Sequence, residues 1–126
     1  MKKILVIDDD TDILELMSTM LRMYDYEVHT SPHWESVRTF IGEYHPDLLL
    51  LDVSLNGADG RKICHDLKTD PSVQRMPIVL FSADPEMGKD LKTSGANEFM
   101  PKPFDLSTLI STIERQFENS PGETVH

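Results

Sequence analysis

The sequence predicts an open, doubly wound α/β fold, a parallel sheet of five strands with helices on both faces. Three observations carry that prediction. Short apolar runs at residues 4–7, 27–30, 47–51, 77–81 and 98–100 alternate with stretches of helical spacing, and 126 residues are enough for one such domain. Runs one, three and four (ILVI, DLLLL, PIVLF) are continuously hydrophobic, as central parallel strands buried on both faces must be. The residues that follow the strands are polar: Asp8, Asp9 and Asp10 after the first, Asp52 after the third, Ser82 after the fourth and Lys102 just beyond the fifth. They gather on the rim outside the carboxyl ends of the strands, where such folds bind ligands.

Each element has a local reason. The second and fifth runs, EVHT and EFM, are less apolar and suit sheet edges. In the first helix Ile13, Leu14, Leu16, Met17, Met20 and Leu21 recur at three-and-four spacing, which predicts one face packed on the sheet. Ser31-Pro32 reads as N-cap and first residue of the second helix, with Val37, Phe40 and Ile41 turned inward, Trp34 packing at its start and Pro46 as its stop. The third helix is expected from about Arg61 to Lys68, ending before Asp70-Pro71. Asp84-Pro85 starts a short fourth helix that contains Gly88 and few apolar residues, so low intrinsic stability is expected there. Asp105 caps the fifth, whose stripe is Leu106, Leu109, Ile110, Ile113 and Phe117. The domain is expected over 1–118, with 119–126 as a frayed tail.

Bulk composition excludes several functions. The formal charge of -10 removes the attraction to phosphate backbones on which nucleic-acid affinity rests. Both of the richest apolar runs end at an aspartate, so nothing here spans a bilayer, and residues 1–7 lack the apolar length of a signal peptide. Cys64 is the single cysteine; it suits a reducing compartment and a packing role, and a cytoplasmic location is expected.

The stretch VIDDDTDI places four aspartates in five residues directly after an apolar strand. Two carboxylates about 4 Å apart repel by roughly 4 kcal/mol at an effective dielectric near 20, so a cation, a proton or distance must offset the crowding. Asp10 and Asp12 read as capping and charging the helix that follows.

Taken together, VIDDD (6–10), DLLLLDVSLNGADG (47–60), PIVLFSAD (77–84) and GANEFMPKPF (95–104) closely resemble the receiver domain of bacterial two-component response regulators, of the single-domain, chemotaxis-regulator type. The resemblance keeps the motif order and spans essentially the whole chain. It implies a flavodoxin-like sheet of strand order 2-1-3-4-5 with five helices. It also implies Asp52 as phosphoacceptor, Ser82 and Lys102 as the hydroxyl and basic residues around the phosphoryl group, and Phe99 with Ser82 as the switch pair. Mg²⁺, or Mn²⁺ in its place, would be held by Asp8, Asp9, Asp52 and the backbone carbonyl of Ser54. The implied donor is a sensor histidine kinase or a histidine phosphotransfer protein, and an output protein would meet the face of helix four, strand five and helix five. Such a domain is a switch that assists its own phosphorylation, not an enzyme of turnover. Lys102-Pro103 is often a cis bond in the family.

Three positions depart from the common pattern. Ser82 keeps the hydroxyl but lacks the methyl that stiffens threonine, Phe99 keeps the ring of a frequent tyrosine but not its hydroxyl, and Asn56 replaces a frequent proline before Gly57. A phosphatase of the haloacid-dehalogenase type is the alternative, because Asp8, Asp10, Ser82 and Lys102 imitate its motif order. That reading leaves Asp52 unexplained and finds no acidic pair after Lys102. A calcium loop fails at Ile13, where glycine is needed, and at Thr19, where a bidentate glutamate is needed.

Overall fold

The computed structural model describes residues 1–89 and 91–118, with only the backbone at Lys92; the expected tail over 119–126 lies outside the described residues. Five strands, β1 (Lys3–Ile7), β2 (Glu27–Ser31), β3 (Leu48–Asp52), β4 (Ile78–Ser82) and β5 (Glu98–Pro101), form one parallel sheet in the order β2-β1-β3-β4-β5. Its order is the one the resemblance implies. The helices are α1 (Thr11–Arg22), α2 (Val37–Tyr44), α3 (Gly60–Lys68), α4 (Leu91–Ser94) and α5 (Leu106–Glu118). No described helix is long and apolar enough to cross a membrane.

Alternation along the strands sorts the core into two layers. Ile4, Val6, Leu48, Leu50, Val79 and Phe81 face Leu14, Met17 and Leu21 of α1 and Leu109, Ile110 and Ile113 of α5. On the opposite face Leu5, Ile7, Leu49, Leu51, Ile78 and Leu80 meet Val37 and Ile41 of α2 and Cys64 and Leu67 of α3. Because both faces are covered, every residue of Leu48–Leu51 is fully buried, and each such side chain contributes about 1.5–3 kcal/mol relative to exposure. Cys64 is a packing residue as expected; burial pushes its thiol up to about 11.

Four local expectations need correction. Leu16 is 54% exposed, because α1 buries the narrower stripe of Leu14, Met17 and Leu21 and turns Leu16 outward. Ser31 does not cap a helix: it ends β2, its Oγ accepts from the His33 backbone N–H at 3.0 Å, and a 3₁₀ turn at Trp34–Ser36 leads into α2. Pro32 fixes the turn between them instead of opening the helix. The helix stops at Tyr44, where His45 takes the left-handed conformation (φ 54°) just ahead of Pro46. The fourth of the five expected helices is broken into a 3₁₀ turn at Pro85–Gly88 and the single turn α4, which leaves four complete ones. Asp84 caps that turn by accepting from the Glu86 N–H at 3.0 Å, but no apolar stripe follows to propagate it.

Candidate functional site

The acidic rim follows from strand pairing. Ile7 of β1 lies opposite Leu51 of β3, so the residues that come next, Asp8 and Asp52, emerge side by side at the carboxyl edge of the sheet. Asp8 is fully buried, Asp52 is 3% exposed and Asp9 is exposed. One oxygen from each of the three carboxylates lies within 4.8 Å of the others. Asp10, by contrast, is committed to α1: its Oδ1 accepts from the backbone N–H groups of Asp12 (3.0 Å) and Ile13 (3.4 Å). Asp10 thus caps the helix as expected, while Asp8 and Asp9 lie with Asp52.

Lys102 answers the crowding. Its Nζ lies 3.1 Å from Asp8 Oδ2 and 3.6 Å from Asp52 Oδ1. The ammonium also rests 4.9 Å from the centroid of the Phe81 ring, a cation–π contact, and the backbone N–H of Lys102 donates to the Ser82 carbonyl at 2.8 Å. The Lys102–Pro103 bond is cis. Backbone donors supply the rest: Asp10 N–H to Asp8 Oδ1 at 2.9 Å, and Ser54 N–H to Asp52 Oδ1 at 3.3 Å.

These donors do not fully compensate Asp52. Removal from water, and next the neighbouring Asp8, push its carboxyl up from 3.8 to about 7, against the opposing pull of Lys102 and the Ser54 N–H. The pocket is therefore short of positive charge. Three acceptor-only oxygen ligands, two of them buried, fit a hard divalent cation such as Mg²⁺, which takes one or two carboxylates and keeps several waters.

Ser82 ends β4, next to β3, where the pairing of Asp52 with Phe81 brings it to the same rim. Its Oγ accepts from the Asp84 N–H at 3.1 Å, an arrangement in which the hydroxyl hydrogen can still be donated elsewhere. Phe99 stands apart from this cluster. It lies on β5, half-buried against the core layer of α2 and α3, with its ring on Gly88; a Cβ there would come within 2.7 Å of the ring.

Two supporting residues escaped the reading of the sequence. Gly60 opens α3 so close to the acceptor strand that a Cβ would sit 2.2 Å from the Asp52 carbonyl oxygen. The signal was present, since glycine follows the capping Asp59 at the point where the helix must pass the strand end. Phe81 left no such signal: one apolar residue in a strand looks like any other until Lys102 is placed over its ring.

Residues 4–114 match the model of the response regulator receiver domain family. Response regulator PleD of Caulobacter vibrioides is 35% identical over 113 residues, which cover 88% of this chain and 25% of that protein. The DNA-binding response regulator MtrA of Mycolicibacterium smegmatis is 32% identical over 130 residues, 97% of this chain and 54% of that protein. The chain thus spans a quarter to about half of the length of these curated relatives. Among solved structures, response regulator TrrA of Thermotoga maritima in complex with Mg²⁺-BeF superposes with a TM-score of 0.84 at 27% identity, covering 92% of this chain and 99% of that one.

Proposed function

Because the chain belongs to the response regulator receiver domain family, we propose that it accepts a phosphoryl group on Asp52 from a phosphohistidine of a kinase or phosphotransfer protein. The observation that carries this reading is the cluster of Asp8, Asp9 and Asp52 within 4.8 Å, with Lys102 shared between Asp8 and Asp52. In the transfer an Asp52 carboxylate oxygen forms a bond to phosphorus as the bond to the donor imidazole nitrogen breaks, and the electron pair leaves with that nitrogen. Asp8, Asp9 and Asp52, with the Ser54 carbonyl that the resemblance adds, would hold Mg²⁺ or Mn²⁺, which would supply the positive charge that lets these anions approach one another. Lys102 swings from the carboxylates to the phosphoryl oxygens, and the Ser82 hydroxyl donates to one of them. That TrrA is in complex with Mg²⁺-BeF supports a Mg²⁺-dependent reading by similarity.

The outcome is a switch and not a turnover activity. Movement of Ser82 and rotation of Phe99 would reshape the face of α4, β5 and α5 for an output partner. The broken fourth helix supports this, since elements that shift are drawn from the least stable parts of a fold. Changing from about 1:99 to 99:1 requires roughly 5.5 kcal/mol of preference for the active state. The net charge of -10 argues against direct nucleic-acid contact by this chain, and a phosphohistidine donor would be met in the cytoplasm. A phosphatase of the haloacid-dehalogenase type is disfavoured by Asp10, whose carboxylate is spent on the α1 cap while Asp52 joins Asp8.

Incubation with Mg²⁺ and a small phosphodonor, followed by intact-mass analysis, should give one labile phosphate that disappears in Asp52→Asn. Absence of an adduct with every donor would overturn the proposal. Turnover of unrelated phosphate esters that is lost in Asp8→Asn but kept in Asp52→Asn would install the phosphatase instead.

A further inference from the structure

We infer that Trp34 is a positioning residue for the cation site, bracing the loop that follows Asp52 through its indole N–H; the inference rests on the reading of Asp8, Asp9 and Asp52 as that site. The loop is a small hairpin in which Ser54–Leu55 pairs with Ala58–Asp59 around the turn at Asn56 and Gly57. Leu55 anchors the hairpin's base in the core layer of α2 and α3, but two residue pairs are too few to hold its turn in water, and Ser54, Asn56, Gly57 and Asp59 are all exposed. Something else must hold its tip.

That restraint is Trp34. Its Nε1–H donates to the Asn56 carbonyl at 2.9 Å, across 22 residues of sequence, while the ring packs against the core layer of α2 and α3. The near side of the tether is itself anchored at the site. Ser31 accepts the Asp8 backbone N–H on its carbonyl at 3.3 Å and the His33 N–H on its Oγ at 3.0 Å, and Trp34 follows directly. Trp34 therefore joins the segment that holds Asp8 to the segment that follows Asp52. A ring needed only for packing would not require an N–H aimed at a turn carbonyl, and phenylalanine would serve. With the bond in place, the residue two beyond Asp52, whose carbonyl is the expected backbone ligand, is held before the ion arrives. Pre-organisation of that kind is read as affinity.

The test is calorimetric Mg²⁺ titration of the whole chain as wild type, Trp34→Phe, Phe40→Leu and Asp52→Asn. Loss of one hydrogen bond of ordinary net strength predicts about fivefold weaker Mg²⁺ binding in Trp34→Phe, with faster amide exchange over 54–59. Phe40→Leu, which thins the same core layer from α2 and removes no hydrogen bond to the hairpin, should lower stability and leave Mg²⁺ affinity unchanged. Equal affinity in wild type and Trp34→Phe overturns the inference alone. If Asp52→Asn binds Mg²⁺ as well as wild type does, or neither binds it, the site reading falls and the inference with it. Should Trp34→Phe fail to fold, the indole N–H of metal-free wild type decides, because Trp34 is the single tryptophan. Protection of that N–H from solvent exchange before Mg²⁺ is added supports the brace, and exchange at the rate of a free indole overturns it.

Discussion

Replacing Asp52 with asparagine should stabilise the metal-free protein, although it removes the proposed phosphoacceptor. The opposing charges near Asp52 almost cancel. At an effective dielectric near 20, repulsion from Asp8, which lies within 4.8 Å, is at least about 3.5 kcal/mol, and attraction to Lys102 across 3.6 Å is about 4.6 kcal/mol. What remains is the loss of hydration by a carboxylate only 3% exposed. That loss is the largest cause lifting its pKa from 3.8 to about 7, which at roughly 1.4 kcal/mol per pH unit corresponds to about 4 kcal/mol. The sign follows from proton counting. Between pH 3.8 and about 7 the folded state holds a proton that the unfolded state has released, so stability falls as pH rises through that window and stays low above it. Asparagine has no charge to bury. In EDTA at pH 8, Asp52→Asn should be more stable than wild type by about 2–4 kcal/mol, or roughly 6–12 °C in Tm, and the gap should close towards pH 4. Urea melts at pH 4.5, 6 and 8 measure it. A variant equal to or weaker than wild type at pH 8 without metal would refute the claim that the buried charge of Asp52 is left uncompensated.

Mg²⁺ affinity should rise with pH up to about 7, by at most tenfold per unit, and flatten above it, because the ion competes with the proton on Asp52; calorimetry across pH 5.5–8.5 tests this. Saturating Mg²⁺ should raise Tm at pH 8 and chelation should reverse the gain, with ~2.7 kcal/mol expected at one hundred times Kd. Gly60→Ala should cost more than the usual preference for alanine in a helix returns, since its Cβ would fall 2.2 Å from the Asp52 carbonyl oxygen. We expect a loss above ~2 kcal/mol in urea melts together with slower phosphorylation. Gly88→Ala should displace the Phe99 ring, which lies 2.7 Å from the added Cβ, and alter amide exchange over 98–101 without changing the yield of phosphate on Asp52.

The parts of this protein that were legible beforehand are those written in local pattern. Continuous apolar runs marked β1, β3 and β4, and Asp10 and Asp105 cap the helices their positions suggested, while Asp84 caps only a 3₁₀ turn. The order of motifs was enough to single out Asp8, Asp52, Ser82 and Lys102 on one rim, because parallel strands all present their carboxyl ends to the same side. Ser31 misled because a serine before a proline has the same local appearance whether it caps a helix or ends a strand; pairing with β1 decided for the strand. Leu16 misled because periodicity marks a face but not the width of the neighbour that covers it.

Sequence alone thus determined the layers, the polar residues at the strand ends and the helix-capping part of the acidic cluster, all consequences of backbone periodicity and short-range hydrogen bonding. Only the tertiary structure decided which groups share charge and which share space. Lys102 reaches Asp8 across 94 residues, Trp34 reaches Asn56 across 22, and Gly60 passes against the backbone of Asp52. Coulomb energy and steric exclusion depend on separation in space, and for these pairs separation along the chain carries no information about it.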